Sequence, residues 1–295
     1  MRKTLIAFSF ILVFLCTLAV GIASTAGYLW FRAPGFLGYR AQPAYEGISI
    51  EREVRSSPRP LVIHVVTVDL NAPGIGVLVT PGDPDSDLPL RTQTTSQFLA
   101  EYGLQIALNG DGFLFEGGID FMSDSPETGD PADVIGYAVS RGEVYSRAMG
   151  NQPVLYFTRG NKARFNEPFK NVYNAISGDA MLVEKGDSVV QAGGELHPRS
   201  AIALDKPNRR LMLFVIDGRQ PGYSEGVTLT ELAEIIIEHG GYTAMNMDGG
   251  GSSTLVTAGN LGAPLVMNSP IHQGIPGRER PVANHLGIFA KVRED

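Results

Sequence analysis

The chain of 295 residues carries 24 Lys and Arg against 31 Asp and Glu, a formal charge of −7. Three of the basic residues and none of the acids fall in 1–32, so the remainder has 21 against 31, a net of −10 that speaks against nucleic acid as a partner. The one cysteine, Cys16, stands near the N-terminus, which excludes a disulfide or a thiolate metal site from everything downstream.

Arg2 and Lys3 precede an uncharged run from Thr4 to Phe31. That run is longer than the ~20 residues that cross a bilayer and the roughly 7–15 of a signal-peptide core. Tyr28 and Trp30 stand where an interfacial aromatic belt would be, with Arg32 just beyond. The reading is an uncleaved signal anchor over 1–32 that meets the membrane through 4–31. A cleaved signal peptide, cut between Ala23 and Gly27, is its competitor. Either one places the globular part outside the cytoplasm, in a periplasmic or extracellular setting. Residues 33–58 mix Pro, Gly, Ser and alternating charge without helical periodicity and read as a linker.

From Arg59 the pattern becomes that of a folded domain, 59–295. LVIHVVTVDL (61–70) and IGVLVTP (75–81) are β-branched runs flanking the turn NAPG. TTSQFLAEYG (94–103) predicts a helix with a Thr or Ser cap and a closing Gly. LQIALN (104–109) reads as a buried strand. Hairpins are expected through Arg141-Gly142, through Gly160-Asn161 and at Pro207-Asn208. Thr228-Leu-Thr-Glu231 fits a capping box, followed by periodic Leu229, Leu232, Ile236 and Ile237 and closed by Gly240-Gly241. HLGIFAKV (285–292) predicts a last strand. Many hairpins beside two helices indicate an α+β domain with mixed or antiparallel sheets.

The stretch richest in chemistry is AMNMDGGGSSTLV, 244–256. It delivers Asp248 at the end of a buried strand, then Gly249, Gly250 and Gly251, then Ser252 and Ser253. Consecutive glycines admit positive φ and close approach, their N–H groups can form an anion-binding nest, and the serines add hydroxyl donors. A hairpin turn without any ligand is the plainer alternative. Two other strand ends share the pattern: Asp217 closes LMLFVID before Gly218-Arg219, and Asn109 closes LQIALN before Gly110-Asp111-Gly112. If the three ends gather at one sheet edge they form a cleft. Paired carboxylates suit glycosyl transfer to water, one as acid and one as nucleophile or base. Asp248, Asp217 and Asp111 are the candidates, with Glu116 in reserve. Arg199 in HPRSAIAL can clamp a phosphate by its planar fork, and Arg278 or Arg280 in GRERPVANH can do so or be solvated loop charges.

GYSEG (222–226) matches the nucleophile elbow of serine hydrolases, which would make Ser224 a nucleophile. The elbow requires the serine directly off a strand, whereas DGRQP intervenes here and Thr228 opens the helix. The five histidines show no metal-ligand spacing, and DPDSD (83–87) lacks the glycine and terminal Glu of an EF-hand. No metal or cofactor is therefore assigned, and a dependence on divalent cations is left open.

Taken in order, HPRSAIAL, VIDGR, GYSEGVTLTELAEII, AMNMDGGGSSTLV and R-x-R-P-V-A-N resemble the phosphodiester glycosidase family over roughly 60–292. The resemblance implies hydrolysis of the bond between an anomeric carbon and a phosphodiester, with a sugar-phosphate or polysaccharide as partner. Asp248 is then expected to stabilise positive charge at that carbon or to activate water, assisted by Asp217 or Asp111. Arg199, Arg280, Asn109 and Gly249 to Ser253 are expected to hold substrate and its phosphate. The competing expectation is a non-catalytic glycan-binding or exopolysaccharide-assembly protein that uses the same cleft.

Overall fold

The computed structural model describes residues 44–115, 125–147 and 149–293. The apolar segment 1–32, the first part of the linker and Glu116 lie outside the described residues. No helix among the described residues is long and apolar enough to cross a membrane.

In chain order the first strands are β1 (Ile48–Arg55), β2 (Leu61–Asp69), β3 (Gly76–Val79), β4 (Leu90–Arg91), β5 (Ile106–Asn109), β6 (Phe113–Phe115), β7 (Pro131–Val134), β8 (Ala138–Ser140), β9 (Glu143–Ser146) and β10 (Val154–Phe157). They continue as β11 (Ala163–Phe165), β12 (Asn174–Ser177), β13 (Ala180–Glu184), β14 (Asp187–Ser188), β15 (Arg199–Leu204), β16 (Arg210–Ile216), β17 (Thr243–Asn246), β18 (Leu255–Ala258), β19 (Pro264–Val266) and β20 (His285–Phe289). Two α-helices complete the described set, α1 (Thr95–Tyr102) and α2 (Leu229–Glu238).

Local chemistry explains most of these boundaries. Thr94 and Gln97 close a capping box on α1, and Gly103 ends it at φ 63° in the left-handed region. Thr228 and Glu231 do the same for α2. The predicted hairpins form β8–β9, β10–β11 and β15–β16, with Arg141, Asn161 and Asn208 all at positive φ in their turns.

A seven-stranded sheet, in the order β1-β2-β16-β15-β17-β13-β14, organises the domain. Period-two alternation sends Leu61, Ile63 and Val65 of β2 to one face, where Leu232, Ala233, Ile235 and Ile236 of α2 cover them. It sends Val66 and Val68 to the other face, into a core shared with Val77, Ile106, Leu108, Leu255 and Leu286 of a second sheet, β19-β18-β5-β20-β3. Phe98 and Leu99 of α1 close the far side of that second sheet. A five-stranded sheet β11-β10-β12-β8-β9 and a three-stranded sheet β4-β7-β6 flank these layers.

Every ladder among the named strands is antiparallel, which decides between the mixed and antiparallel sheets that the sequence left open. The structure corrects one boundary. Residues 48–55, assigned to the linker 33–58, form β1 and pair with β2 along their whole length. Ile48 and Ile50 face the core, while Glu51, Arg52, Glu53 and Arg55 give the strand a charged character suited to a sheet edge. The alternating charge that suggests a tether is divided by the pleat of an edge strand, with Glu51, Glu53 and Arg55 on one face and Arg52 on the other beside Tyr223.

Candidate active site

Register brings the acidic strand ends together. Arg199, which opens β15, pairs with Ile216, the last residue of β16, so Asp217 emerges beside it. Asn246, which closes β17, lies opposite both Ala201 and Ala180, adding Asp248 and Asp179 to the same edge. From the second sheet, β5 arrives at the same place: the Asp248 N–H donates to Gly110 O at 3.1 Å, and Asn109 Nδ2 donates to Asp248 O at 2.7 Å. The segment between β17 and β18 thus crosses from one sheet to the other instead of folding back as a hairpin. A cleft of about 990 Å³ opens at this junction, and Asp111, Asp179, Asp248, Arg199, Arg219 and Arg280 all line it.

Asp111 and Asp248 are the two acids that the sequence singles out and the cleft receives. Asp111 is 2 % exposed. Its Oδ1 accepts from the Gly112 N–H at 2.8 Å, and its Oδ2 from the Gly136 N–H at 3.0 Å and from the Ser177 hydroxyl. Burial pushes its pKa up to about 6, outweighing those hydrogen bonds, and the charge of Asp248 adds to the rise. The turn that carries it is fixed by Asn284, whose Oδ1 accepts from the Asp111 N–H at 2.9 Å. A side chain at Gly110 would meet that same Oδ1 at 2.0 Å, which explains the glycine. Asp248 keeps an edge open to the cleft. Desolvation by its other neighbours raises its pKa, while Ser252, Arg280 and the Gly249 N–H oppose the rise and Asp179 adds to it.

The glycine run is shaped differently from the expected anion nest. Gly250 adopts φ 61°, and its N–H donates to Pro198 O at 2.9 Å. The Ser252 and Ser253 N–H groups donate back to Gly249 and Gly250 carbonyls in a 3-10 turn. Those donors are spent on the backbone. Gly249, Gly250 and Gly251 instead form a bare wall of the cleft that its neighbours approach closely: a Cβ at Gly249 would stand 3.1 Å from Pro198 O and one at Gly250 3.2 Å from Arg219 Nη1. Ser252 is fully buried and hydrogen-bonds Asp248 and Arg280, so it orients the acid. Ser253 is buried away from the cleft lining.

Two further expectations, for Asp217 and Asn109, are corrected, while the burial of Ser224 agrees with the argument against a nucleophile elbow. Asp217 is fully buried and absent from the cleft: Oδ1 accepts from Asn268 Nδ2 and the Ser269 N–H, and Oδ2 meets His64 Nε2 and the Tyr223 hydroxyl, each at 3.1 Å. Its acceptor capacity is used by structural partners. Asn109 is also fully buried; its Oδ1 accepts from Ser200 Oγ and the Thr254 N–H, so it staples the two sheets and does not reach substrate space. Ser224 is enclosed too, donating to Asp217 O at 2.6 Å and accepting from the Val62 N–H, which leaves no exposed nucleophile for a serine hydrolase.

The structure adds residues that the sequence reading missed. Asp179 accepts from Asn246 Nδ2 at 3.3 Å, and Arg219, His197 and His272 complete the rim. The signal was available: Gly178-Asp179 and Gly218-Arg219 repeat the strand-end-then-glycine pattern. Burial, together with Arg280 and Arg278, lowers the His272 pKa to about 4, so this imidazole is neutral at neutral pH. Among the described residues no three His, Cys, Asp or Glu side chains are arranged to hold a metal ion. The lining therefore offers carboxylates at the centre, three guanidinium groups around them, and neutral imidazoles on the rim.

The model of the phosphodiester glycosidase family (NAGPA) matches residues 102–289. No curated protein is similar enough in sequence to match. Among solved structures, the catalytic domain of zebrafish N-acetylglucosamine-1-phosphodiester α-N-acetylglucosaminidase, auto-inhibited by its pro-peptide, is 20% identical, with a TM-score of 0.57 and 83% of each chain covered. A candidate exported protein of Burkholderia pseudomallei K96243 is 14% identical with a TM-score of 0.59, over 80% of this chain and 75% of that one. A hypothetical protein from Synechocystis is 15% identical with a TM-score of 0.55, over 83% of this chain. The present chain spans 62% of the Synechocystis chain. These structural likenesses establish a shared fold.

Proposed function

Because this chain belongs to the phosphodiester glycosidase family, we propose that it hydrolyses the glycosidic bond of a sugar-1-phosphodiester within an extracytoplasmic glycan or envelope polymer. Membership makes it a hydrolase of the glycosidase class. The observation that carries the finer reading is the lining of one cleft: desolvated Asp111 and Asp248 together with Arg199, Arg219 and Arg280.

A sugar phosphodiester supplies an anion for the guanidinium groups and an acetal carbon for the carboxylates. The bond from the anomeric carbon to the phosphate oxygen breaks, and its electron pair leaves on the phosphate. Arginines beside that oxygen stabilise the added charge, so strong protonation of the leaving group is unnecessary. Positive charge that develops on the sugar is met by ionised Asp248, which Arg280 and Ser252 help to keep charged. Water adds to the anomeric carbon, and its proton passes to a carboxylate; Asp111, with a pKa of about 6, suits that exchange near neutral pH. The products are a reducing sugar and a phosphomonoester. The apolar segment 4–31 supports a membrane-tethered or exported setting.

The test follows reducing-sugar release by the detergent-solubilised full chain over a panel of sugar-1-phosphodiesters. Turnover by the wild type that falls at least about a hundredfold in Asp248→Asn, with unchanged circular dichroism, is expected. Silence of the folded wild type across the panel would favour glycan binding without cleavage.

A further inference from the structure

We infer that Arg219 is the cation that grips the substrate phosphate, and that His197 is the positioning residue that aims it. The inference rests on the phosphodiester reading above and names the holder of the anion.

Three arginines line the cleft. Arg199 is half-buried and bonded to two carbonyls, Arg280 is half-buried with its charge on Asp248, and Arg219 is the exposed one of the three. Arg199 donates from Nε to Val227 O and from Nη2 to Glu195 O, both at 3.3 Å. Arg280 donates to Ser252 Oγ at 3.3 Å and lies over the Phe113 ring, 5.3 Å from its centroid. Arg219 is exposed, and among the described residues no carboxylate forms an ion pair with it. Its backbone stands at φ 56°, a left-handed conformation that a non-glycine residue holds only when its surroundings enforce it. Its guanidinium lies over Gly250, where a Cβ would come within 3.2 Å of Nη1. The bare glycine and the left-handed backbone both serve the placement of one side chain.

The contact that orients Arg219 also fixes a proton. Nη2 of Arg219 stands 3.1 Å from His197 Nδ1, and His197 Nε2 stands 3.1 Å from Glu195 Oε2. A guanidinium only donates and a carboxylate only accepts, so both contacts hold together only when His197 is neutral with its hydrogen on Nε2. The groups charged around this imidazole are Arg219, Arg199 and Glu195; burial and the two arginines lower its pKa, and Glu195 opposes them. A second proton would place an N–H donor on Nδ1 against the guanidinium and release Arg219. One guanidinium hydrogen is used on His197, which leaves the rest of the planar fork for two phosphate oxygens. A neutral glycoside gains nothing from this device, so it selects for phosphodiesters.

The experiment measures binding of dimethyl phosphate, whose single negative charge is constant through neutral and mildly acidic pH, to the detergent-solubilised full chain. Arg219→Gln should weaken it by about tenfold to a hundredfold, the size expected for a charge-assisted bidentate contact. His197→Ala should weaken it by about threefold to tenfold. His197→Asn, which keeps an acceptor near the Nδ1 position but cannot titrate, should restore most of the affinity. The ratio of wild-type to His197→Asn affinity should fall on acidification; protonation of Asp111 or Asp248 acts in both proteins and in the opposite direction, by removing negative charge beside the anion. Unchanged binding in Arg219→Gln overturns the inference, and a ratio flat with pH overturns the role of His197. Arg219-dependent binding without turnover of any sugar-1-phosphodiester by the wild type would sink the hydrolysis reading and leave this assignment standing.

Discussion

Replacing Asp111 with asparagine separates what this carboxyl does for chemistry from what it does to stability. Burial lifts its pKa from 3.8 to about 6 in the fold. Since the folded value lies above the unfolded one, the stability contributed by its protonated form is complete below pH 3.8 and is lost as the pH rises through about 6. The gap between the two values corresponds to about 3 kcal/mol. Asparagine cannot ionise, so it escapes this loss. It brings a fixed penalty in exchange: both carboxylate oxygens accept from donors, Gly112 on one side and Gly136 with Ser177 on the other. The amide NH₂ must face one of these, at about 1–3 kcal/mol. Asp111→Asn should therefore be less stable than the wild type in acid and should gain on it by about 3 kcal/mol by neutral pH, mostly between the two pKa values. Urea denaturation of both proteins across that range reads the difference directly, and the gain amounts to roughly 6–12 °C in Tm for a domain of this size. Turnover should be lost at every pH. A stability difference that stays constant with pH would refute the buried, proton-retaining state of Asp111.

Gly136→Ala should damage the same carboxyl from outside, since its Cβ would meet Ser177 Oγ at 1.9 Å and Asp111 Oδ2 at 2.6 Å. About 1–3 kcal/mol of stability and most of the activity should go, seen in parallel melts and assays. Asp217→Ala removes the carboxylate contacts of His64, Tyr223, Asn268 and the Ser269 N–H and should destabilise by about 3–5 kcal/mol, while the fraction that remains folded keeps its turnover. Loss of activity in that folded fraction would return Asp217 to the chemistry. Ser224→Ala should lose about 1–3 kcal/mol and retain activity, and a fluorophosphonate should leave the wild type unlabelled.

What could be read from the sequence was what local chemistry dictates. The Thr cap before α1, the capping box at Thr228, and turn residues such as Asn161 and Asn208 mark their elements within a few positions. The Asp248 glycine run marks a cleft wall for the same reason: backbone without side chains leaves room. Asp217 has the same local signature, a buried strand, an acid and then a glycine, yet it turns inward. Its partners His64, Asn268 and Ser269 are 153, 51 and 52 residues away in the chain, so nothing near Asp217 announces them. Arg219 and Asp179 were passed over for the converse reason. Each follows a glycine at a strand end and looks like turn polarity until the register of β16, β15, β17 and β13 brings both to one edge of the sheet, where they line the cleft.

The division of labour at the junction explains why a chain of net charge −7 can receive an anion. A diffuse negative field repels a phosphodiester at long range, but salt screens such a field over about 10 Å. At contact the local lining decides. Arg219 and Arg199 come from the ends of β16 and β15, and Arg280 from the loop before β20, whereas Asp111 and Asp248 come from the ends of β5 and β17. Cations and acids therefore reach the cleft on separate segments, and the ion pairs that would cancel them do not form between Arg219 and either acid. Pairing Arg219 with an acid would have stabilised the free protein and closed the site to phosphate. Holding it on a neutral histidine keeps its charge available to the ligand.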